Sequence, residues 1–286
     1  MGPRVRIVTD SVADLPPDYA DEHQIRVLPV YLTVNGQTFL DDGSLDRDWF
    51  YGQLDQVSER PTTAAPAPHE FQKVYEGLAS EGAEEIIALF TASTLSSLYN
   101  HAVIAAQQFD QGRVHVVDTA QVSVGVGLQV MAAAEMVTRG EPVARIVERV
   151  EVLRKRTRIL GVLESADYLR RSGRVRWGPA TMAHLLRIKP LIGFYDGAAQ
   201  SLGRVRTLLR GVRAIVERIS TIGALERLAI LHTRTNAEAV CHLQECLAAR
   251  YPGTRAPVID VGAVFAAHIG PGCLGVALIA DDGATS

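Results

Sequence analysis

The sequence predicts a two-domain α/β protein: a mainly parallel sheet flanked by helices in the N-terminal half, then a C-terminal α/β domain with an antiparallel or mixed sheet. Three observations lead there. Strand-like β-branched runs alternate with helical periodicity up to residue 155, hairpin signals follow beyond residue 158, and 286 residues exceed the roughly 150 that one ordinary core organises.

Residues 5–9 read as a buried strand, and residues 25–34 as a second that runs into Asn35-Gly36, a strong hairpin-turn signal. Strands at 85–90 and 114–118 alternate with helical patterns at 69–80, 96–109 and 122–139, the rhythm of a parallel, helix-covered sheet. A charged helix at 143–155 closes this half, and the boundary is expected near residue 157, giving domains 1–157 and 158–286. In the second domain, strands are expected at 158–163, 189–194 and 200–206, the last two joined at Asp196-Gly197. Strands at 227–232 and 275–280 flank a helix at 236–250 that Thr235 or Asn236 caps. Residues 61–68, rich in Pro, Thr and Ala, read as a loop too stiff for a helix.

Composition narrows the function classes. Hydrophobic residues make up 47% and charged residues 21%, ordinary for a globular chain, and 29 basic against 32 acidic residues leave a charge of −3 that gives no reason to expect nucleic acid. Cys241, Cys246 and Cys273 form no CxxC pair, which argues against a disulfide framework or zinc site and for a reducing cytoplasm. The N-terminal residues lack an export or myristoylation signal, and Ser123, Gln129 and Glu135 interrupt the most apolar helical stretch, so no membrane span is expected.

In open parallel sheets, ligands bind beyond the carboxyl ends of the strands. The residues there are small and polar: Thr9, Asp10, Ser11 and Asp14 after the first strand, Thr91, Ser93 and Thr94 after the 85–90 strand, and Asp118 and Thr119 after the 114–118 strand. Helix capping accounts for any one of them alone; together they suggest a crevice. The segment from Ala263 to Gly275 carries His268 between a strand and the turn Gly270-Pro271-Gly272, a loop expected to offer backbone amides to an anion beside an imidazole. Although 270–275 spells GxGxxG, no acidic residue follows at the distance a dinucleotide site needs. GxxxxGK[ST], HExxH and GxSxG patterns do not occur, and Ser93, His268 and Asp10 form a triad only on paper.

These segments resemble the DegV family of bacterial fatty-acid-binding proteins, including the FakB subunits of fatty acid kinase. The likeness covers nearly the whole chain. It is carried by Thr9-Asp10-Ser11 with Asp14-Leu15, Pro61-Thr62-Thr63-Ala64-Ala65-Pro66, Ser93-Thr94-Leu95-Ser96-Ser97-Leu98-Tyr99, Val117-Asp118-Thr119, Arg171-Ser172-Gly173-Arg174, Lys189-Pro190-Leu191 with Asp196-Gly197, and His268-Ile269-Gly270-Pro271-Gly272. Ala64 and Ala65 replace a polar pair of the family's T-S-Q-P loop, and Ser97 and Leu98 replace the Gly-Thr of its LSGTY segment.

The resemblance implies a two-domain DegV-type fold with a long-chain fatty acid buried at the junction. Its carboxylate would be held by Thr63, Ser93 and His268, with Thr62 as the alternative register. It implies a carrier without cofactor, metal or catalytic residue, which presents the carboxylate to a separate ATP-dependent, FakA-like kinase; an acyltransferase then takes the acyl phosphate for phospholipid synthesis. Burying about 15 methylenes at roughly 0.8 kcal/mol each is worth on the order of 12 kcal/mol before ordering costs, enough to drive such binding. Arg170, Arg171, Arg174 and Arg176 form one basic cluster and Arg204, Arg206 and Arg210 another, and the resemblance implies that Arg174 and Arg206 dock the kinase. The rival expectation is an enzyme, a serine hydrolase or phosphotransferase, using Ser93 and His268.

Overall fold

The computed structural model describes residues 4–16, 18–54, 60–175 and 188–283. Arg176 lies outside them. The chain divides into two compact units, Met1–Lys155 and Arg156–Ser286.

The first unit contains β1 (Val5–Asp10), a 3-10 turn (Ser11–Ala13), α1 (Tyr19–Glu22), β2 (Arg26–Leu28), β3 (Tyr31–Val34), β4 (Gln37–Leu40) and α2 (Arg47–Leu54). It continues with β5 (Thr62–Ala64), α3 (Pro68–Ser80), β6 (Glu85–Phe90), α4 (Leu98–Gln107), β7 (Arg113–Asp118), α5 (Val124–Thr138) and α6 (Val143–Arg156). The main sheet has the order β2-β1-β6-β7 and is parallel throughout. A parallel sheet needs cover on both faces. Ile7, Leu89 and Val117 pack against Val126 and Val130 of α5 and Ile146 and Val150 of α6, while the Phe71 ring of α3 meets the Phe90 ring of β6 edge-on at 5.3 Å.

The strand expected over 25–34 is two strands in two different sheets. Pro29 has no N–H to continue the ladder, and the chain passes from the parallel sheet into a three-stranded antiparallel one, β4-β3-β5. The Ser11 hydroxyl receives the Val30 N–H at 3.1 Å across this crossing. Asn35 and Gly36 make the β3–β4 turn with φ of 51° and 75°. The supposed 61–68 loop contains β5, whose register sets Thr63 opposite Leu32 and Thr62 opposite Thr33.

The second unit contains β8 (Thr157–Val162), α7 (Asp167–Arg171), β9 (Lys189–Tyr195), β10 (Ala198–Val205), α8 (Leu208–Ser220), β11 (Leu225–His232), α9 (Ala237–Arg250), β12 (Val258–Asp260), α10 (Ala263–Ile269) and β13 (Leu274–Ala280). Its sheet, β10-β9-β8-β13-β11-β12, is mixed: every pair is antiparallel except β11 with β12. Val212, Ile215 and Ile219 of α8, with Leu243 and Leu247 of α9, cover Leu160, Val162, Val276 and Leu278 on one face. The Asn236 carboxamide caps α9, accepting the Glu238 and Ala239 amides at 2.7 and 3.3 Å. The segment read as a loop up to Gly275 begins with the helix α10. The strand β13 follows the GxGxxG string, so no helix starts there. Among the described residues, no helix is long and apolar enough to cross a membrane.

Gly127, in the first turn of α5, sets how closely that helix approaches the end of β1: a Cβ there would lie 2.4 Å from the Ala13 carbonyl oxygen. Gly77 of α3 has nothing within 4 Å of the same position. Alanine stabilises an open helical site by about 1 kcal/mol over glycine. Gly77→Ala should therefore raise the melting temperature, whereas Gly127→Ala should lower it, overpacking costing about 1–3 kcal/mol. Thermal denaturation followed by circular dichroism distinguishes the two.

Candidate functional site

In the first unit, the carboxyl ends of β1, β6 and β7 meet through side chains. Asp10, the last residue of β1, is fully buried. Its carboxylate accepts the Val12 amide at 2.9 Å, the Thr91 amide at 2.9 Å and the Thr91 hydroxyl at 3.1 Å. Burial outweighs these three donors and pushes its pKa up from 3.8 to about 6, with Asp41 adding a smaller repulsion.

Asp118, at the end of β7, does the same for the loop after β6. The Ser93 hydroxyl donates to it at 2.6 Å, and the Ser93 and Ala120 amides at 3.3 and 2.8 Å. Arg154 of α6 stands 3.8 Å from the same carboxylate. The Thr119 hydroxyl donates to the Phe90 carbonyl at 2.8 Å, closing the gap between β6 and β7. Ser123, held at a φ of 52°, donates its hydroxyl to Asp14 at 2.5 Å and so joins the start of α5 to the turn after β1. Asp10 is also the cap of the 3-10 turn, so the capping and crevice readings both hold for it.

The loop expected to offer amides to an anion, Gly270 to Gly272, does not, and the loop after β6 is in the same condition. In the loop after β6, Thr91, Ala92 and Ser93 donate their N–H groups to Asp10, to the Gln121 carbonyl and to Asp118. In the second unit, the Gly270 amide donates to the Ala266 carbonyl at 2.8 Å, that of Gly272 to the Thr233 carbonyl at 2.6 Å and that of Cys273 to the Thr233 hydroxyl at 2.9 Å. Pro271 has none. Thr233, unmarked by any sequence motif, also donates its hydroxyl to the Gly270 carbonyl at 2.7 Å and thereby pins the whole turn. Gly270, with a φ of 77°, packs on the Tyr168 ring, where a Cβ would sit 2.3 Å from a ring carbon.

His268 lies in the last turn of α10 rather than in a loop. Burial, with Arg174 adding repulsion, pushes its pKa down to about 4. Near neutral pH it is an uncharged imidazole, able to donate from one nitrogen and accept at the other. Thr63 and Ser93 belong to the first unit and His268 to the second. Residues opposite each other in an antiparallel pair share a sheet face, and adjacent residues do not. Thr63 thus lies on the face of the buried Leu32, whereas Thr62 points the other way and is exposed. A serine hydrolase would need an imidazole to accept a hydrogen bond from the Ser93 hydroxyl; that hydroxyl donates to Asp118 instead, and the Asp10 carboxylate is occupied by Thr91 and Val12.

Because folding raises the Asp10 pKa, the folded state holds that proton more tightly than the unfolded chain. Its contribution is complete below about pH 4 and is lost as the pH rises through about 6. Relative to Asp10→Asn, the protein should lose about 2 kcal/mol of stability between about pH 4 and pH 7, as read by urea denaturation at both values.

Comparison with known proteins places this geometry. The family described as uncharacterised protein, DegV family, matches residues 4–281. A DegV domain-containing protein of Deinococcus radiodurans is 32% identical over 277 residues, 96% of this chain and 98% of the relative. Among solved structures, a DegV family protein of Thermus thermophilus, described for its fatty acid binding, is 31% identical, with a TM-score of 0.89 over 97% of this chain and all of that one, 100%. DegV of Bacillus subtilis, described as a fatty acid binding protein, is 26% identical with a TM-score of 0.85 over 98% of this chain and 100% of its own. The chain belongs to the DegV family.

Proposed function

We propose that this protein binds a long-chain fatty acid in a buried tunnel and presents its carboxyl group to a separate ATP-dependent kinase. The observation that carries the reading is the full-length likeness, 31% identity over 97% of the chain, to the Thermus thermophilus protein whose structure is described for fatty acid binding. The chemistry of the strand ends supports it. Thr63, Ser93 and the uncharged His268 are polar groups that can hydrogen-bond a carboxyl without supplying a net charge, while Thr62 faces away from Thr63 on β5. Burial of the acyl chain then provides the affinity and the polar groups fix the orientation.

The protein itself makes no bond in this reading. It acts in the cytoplasm, the kinase forms the acyl phosphate, and an acyltransferase consumes that product for phospholipid synthesis. Arg174, exposed after the Gly173 turn, and Arg206, exposed just before the Thr207 cap of α8, form the docking charge for the kinase. Exposed charges of this kind speed encounter with an acidic partner more than they raise affinity.

Denaturing mass spectrometry of the purified protein should release a long-chain fatty acid in about equimolar amount; absence of any fatty acid, together with failure to take up a labelled one, refutes the reading. Ser93→Ala and His268→Ala should each weaken retention by roughly tenfold to a hundredfold, the equivalent of about 1.5–3 kcal/mol, while circular dichroism shows the delipidated protein still folded.

Arg174→Glu and Arg206→Glu should leave retention unchanged and slow acyl phosphate formation by the kinase, most strongly at low ionic strength. Equal rates for variant and wild type in low salt would place the docking surface elsewhere.

A further inference from the structure

Ser93 carries two hydrogen-bond donors, and both point at Asp118. The hydroxyl donates to Oδ2 at 2.6 Å and the amide to Oδ1 at 3.3 Å. What remains on Ser93 Oγ for a ligand is lone pairs. The neighbouring Thr91 is in the same condition, its amide and hydroxyl both donated to Asp10. The carboxylate of Asp118 is held in place by the Ala120 amide at 2.8 Å and faces Arg154 at 3.8 Å, and that arginine also pairs with Glu151 at 3.6 Å. Arg154 is therefore already engaged with two carboxylates.

We propose that Asp118 is a positioning residue that turns Ser93 into a hydrogen-bond acceptor, so that the fatty acid is bound as the undissociated acid, its carboxyl O–H donating to Ser93 Oγ. The inference rests on the fatty-acid reading above and deepens it. A carboxylate ligand would have to break the 2.6 Å bond to gain the serine proton, and would then lie within one side chain of the Asp118 charge. The neutral acid meets neither obstacle: it supplies the missing proton and brings no charge into a buried site. Asp118 touches the ligand only through Ser93. The head-group selectivity that follows is for a donor, not for an anion.

Four charged groups are linked to this serine through contacts of its own loop and of Asp118. They are Asp118 on β7, Arg154 with Glu151 on α6, and Asp10 on β1, which titrates near 6. His268, if it shares the head group as the fatty-acid reading has it, is uncharged above about pH 4.

The test uses delipidated full-length protein, radiolabelled myristic acid, and competition by 1-tetradecanol, tetradecanamide and methyl myristate. The alcohol and the amide keep a donor and should displace the label; the methyl ester has none and should compete at least tenfold less well. Apparent affinity for myristic acid should fall by up to about tenfold per unit of pH above the ordinary carboxyl range of about 4 to 5. In Asp118→Asn the serine hydroxyl is released from the charge, and this pH dependence should flatten. Asp10 and His268 are present in both proteins, so the difference between the two profiles reports on Asp118.

A methyl ester that competes as well as the alcohol, or affinity that is constant from about pH 5 to about pH 8 in the wild type, overturns the inference while leaving fatty acid binding intact. Identical sloping profiles for wild type and Asp118→Asn overturn the role of Asp118. Failure of myristic acid to bind at any pH removes the fatty-acid reading itself, and this inference with it.

Discussion

A buried carboxylate organises the first unit. Asp10 ends β1 and accepts three hydrogen bonds, one from its own turn and two from Thr91 at the end of β6. Without those donors an ionised group at that depth would be far too costly; with them it couples strand ends 81 residues apart in the chain. The adjacent Ser11 hydroxyl takes the Val30 amide where the chain leaves the parallel sheet. One short segment thus sets the loop that carries Ser93 and anchors the start of the small sheet that carries Thr63. The elevated pKa of Asp10 shows that burial still prevails over its three donors.

The same economy of donors shapes both polar loops. Around Ser93 and around Gly270, backbone amides satisfy neighbouring carbonyls, carboxylates and the Thr233 hydroxyl. These amides already have acceptors, so neither loop offers them to an oxyanion of the kind that forms in acyl transfer. Packing is tight beside both segments: a methyl group at Gly127 would run into the Ala13 carbonyl oxygen, and one at Gly270 into the Tyr168 ring.

Local patterns made the element order legible. Residues 85–90 and 113–118 have the β-branched composition of buried strands, residues 68–80 and 143–156 the helical period, and Asn35-Gly36 the turn chemistry that its left-handed φ values require. The helix α8, absent from the expected elements, has equally plain periodicity in Val212, Ile215 and Ile219. The two-strand division was less accessible: Pro29 is the one break in an otherwise strand-like run, and the competition between two sheets decides which residues pair with which.

The sequence by itself determined where the polar strand ends fall, the DegV family motifs, and the residue types available to a carboxyl group. Only the tertiary structure decided what those residues do with their hydrogen bonds. That the Ser93 hydroxyl donates to Asp118, 25 residues away, and that Thr233 clamps a turn 40 residues further on, depends on which loops the folded chain brings within 3 Å. Periodicity and turn propensity act over a few residues, so they specify elements; a donor chooses its acceptor by geometry, which exists only once the elements have packed.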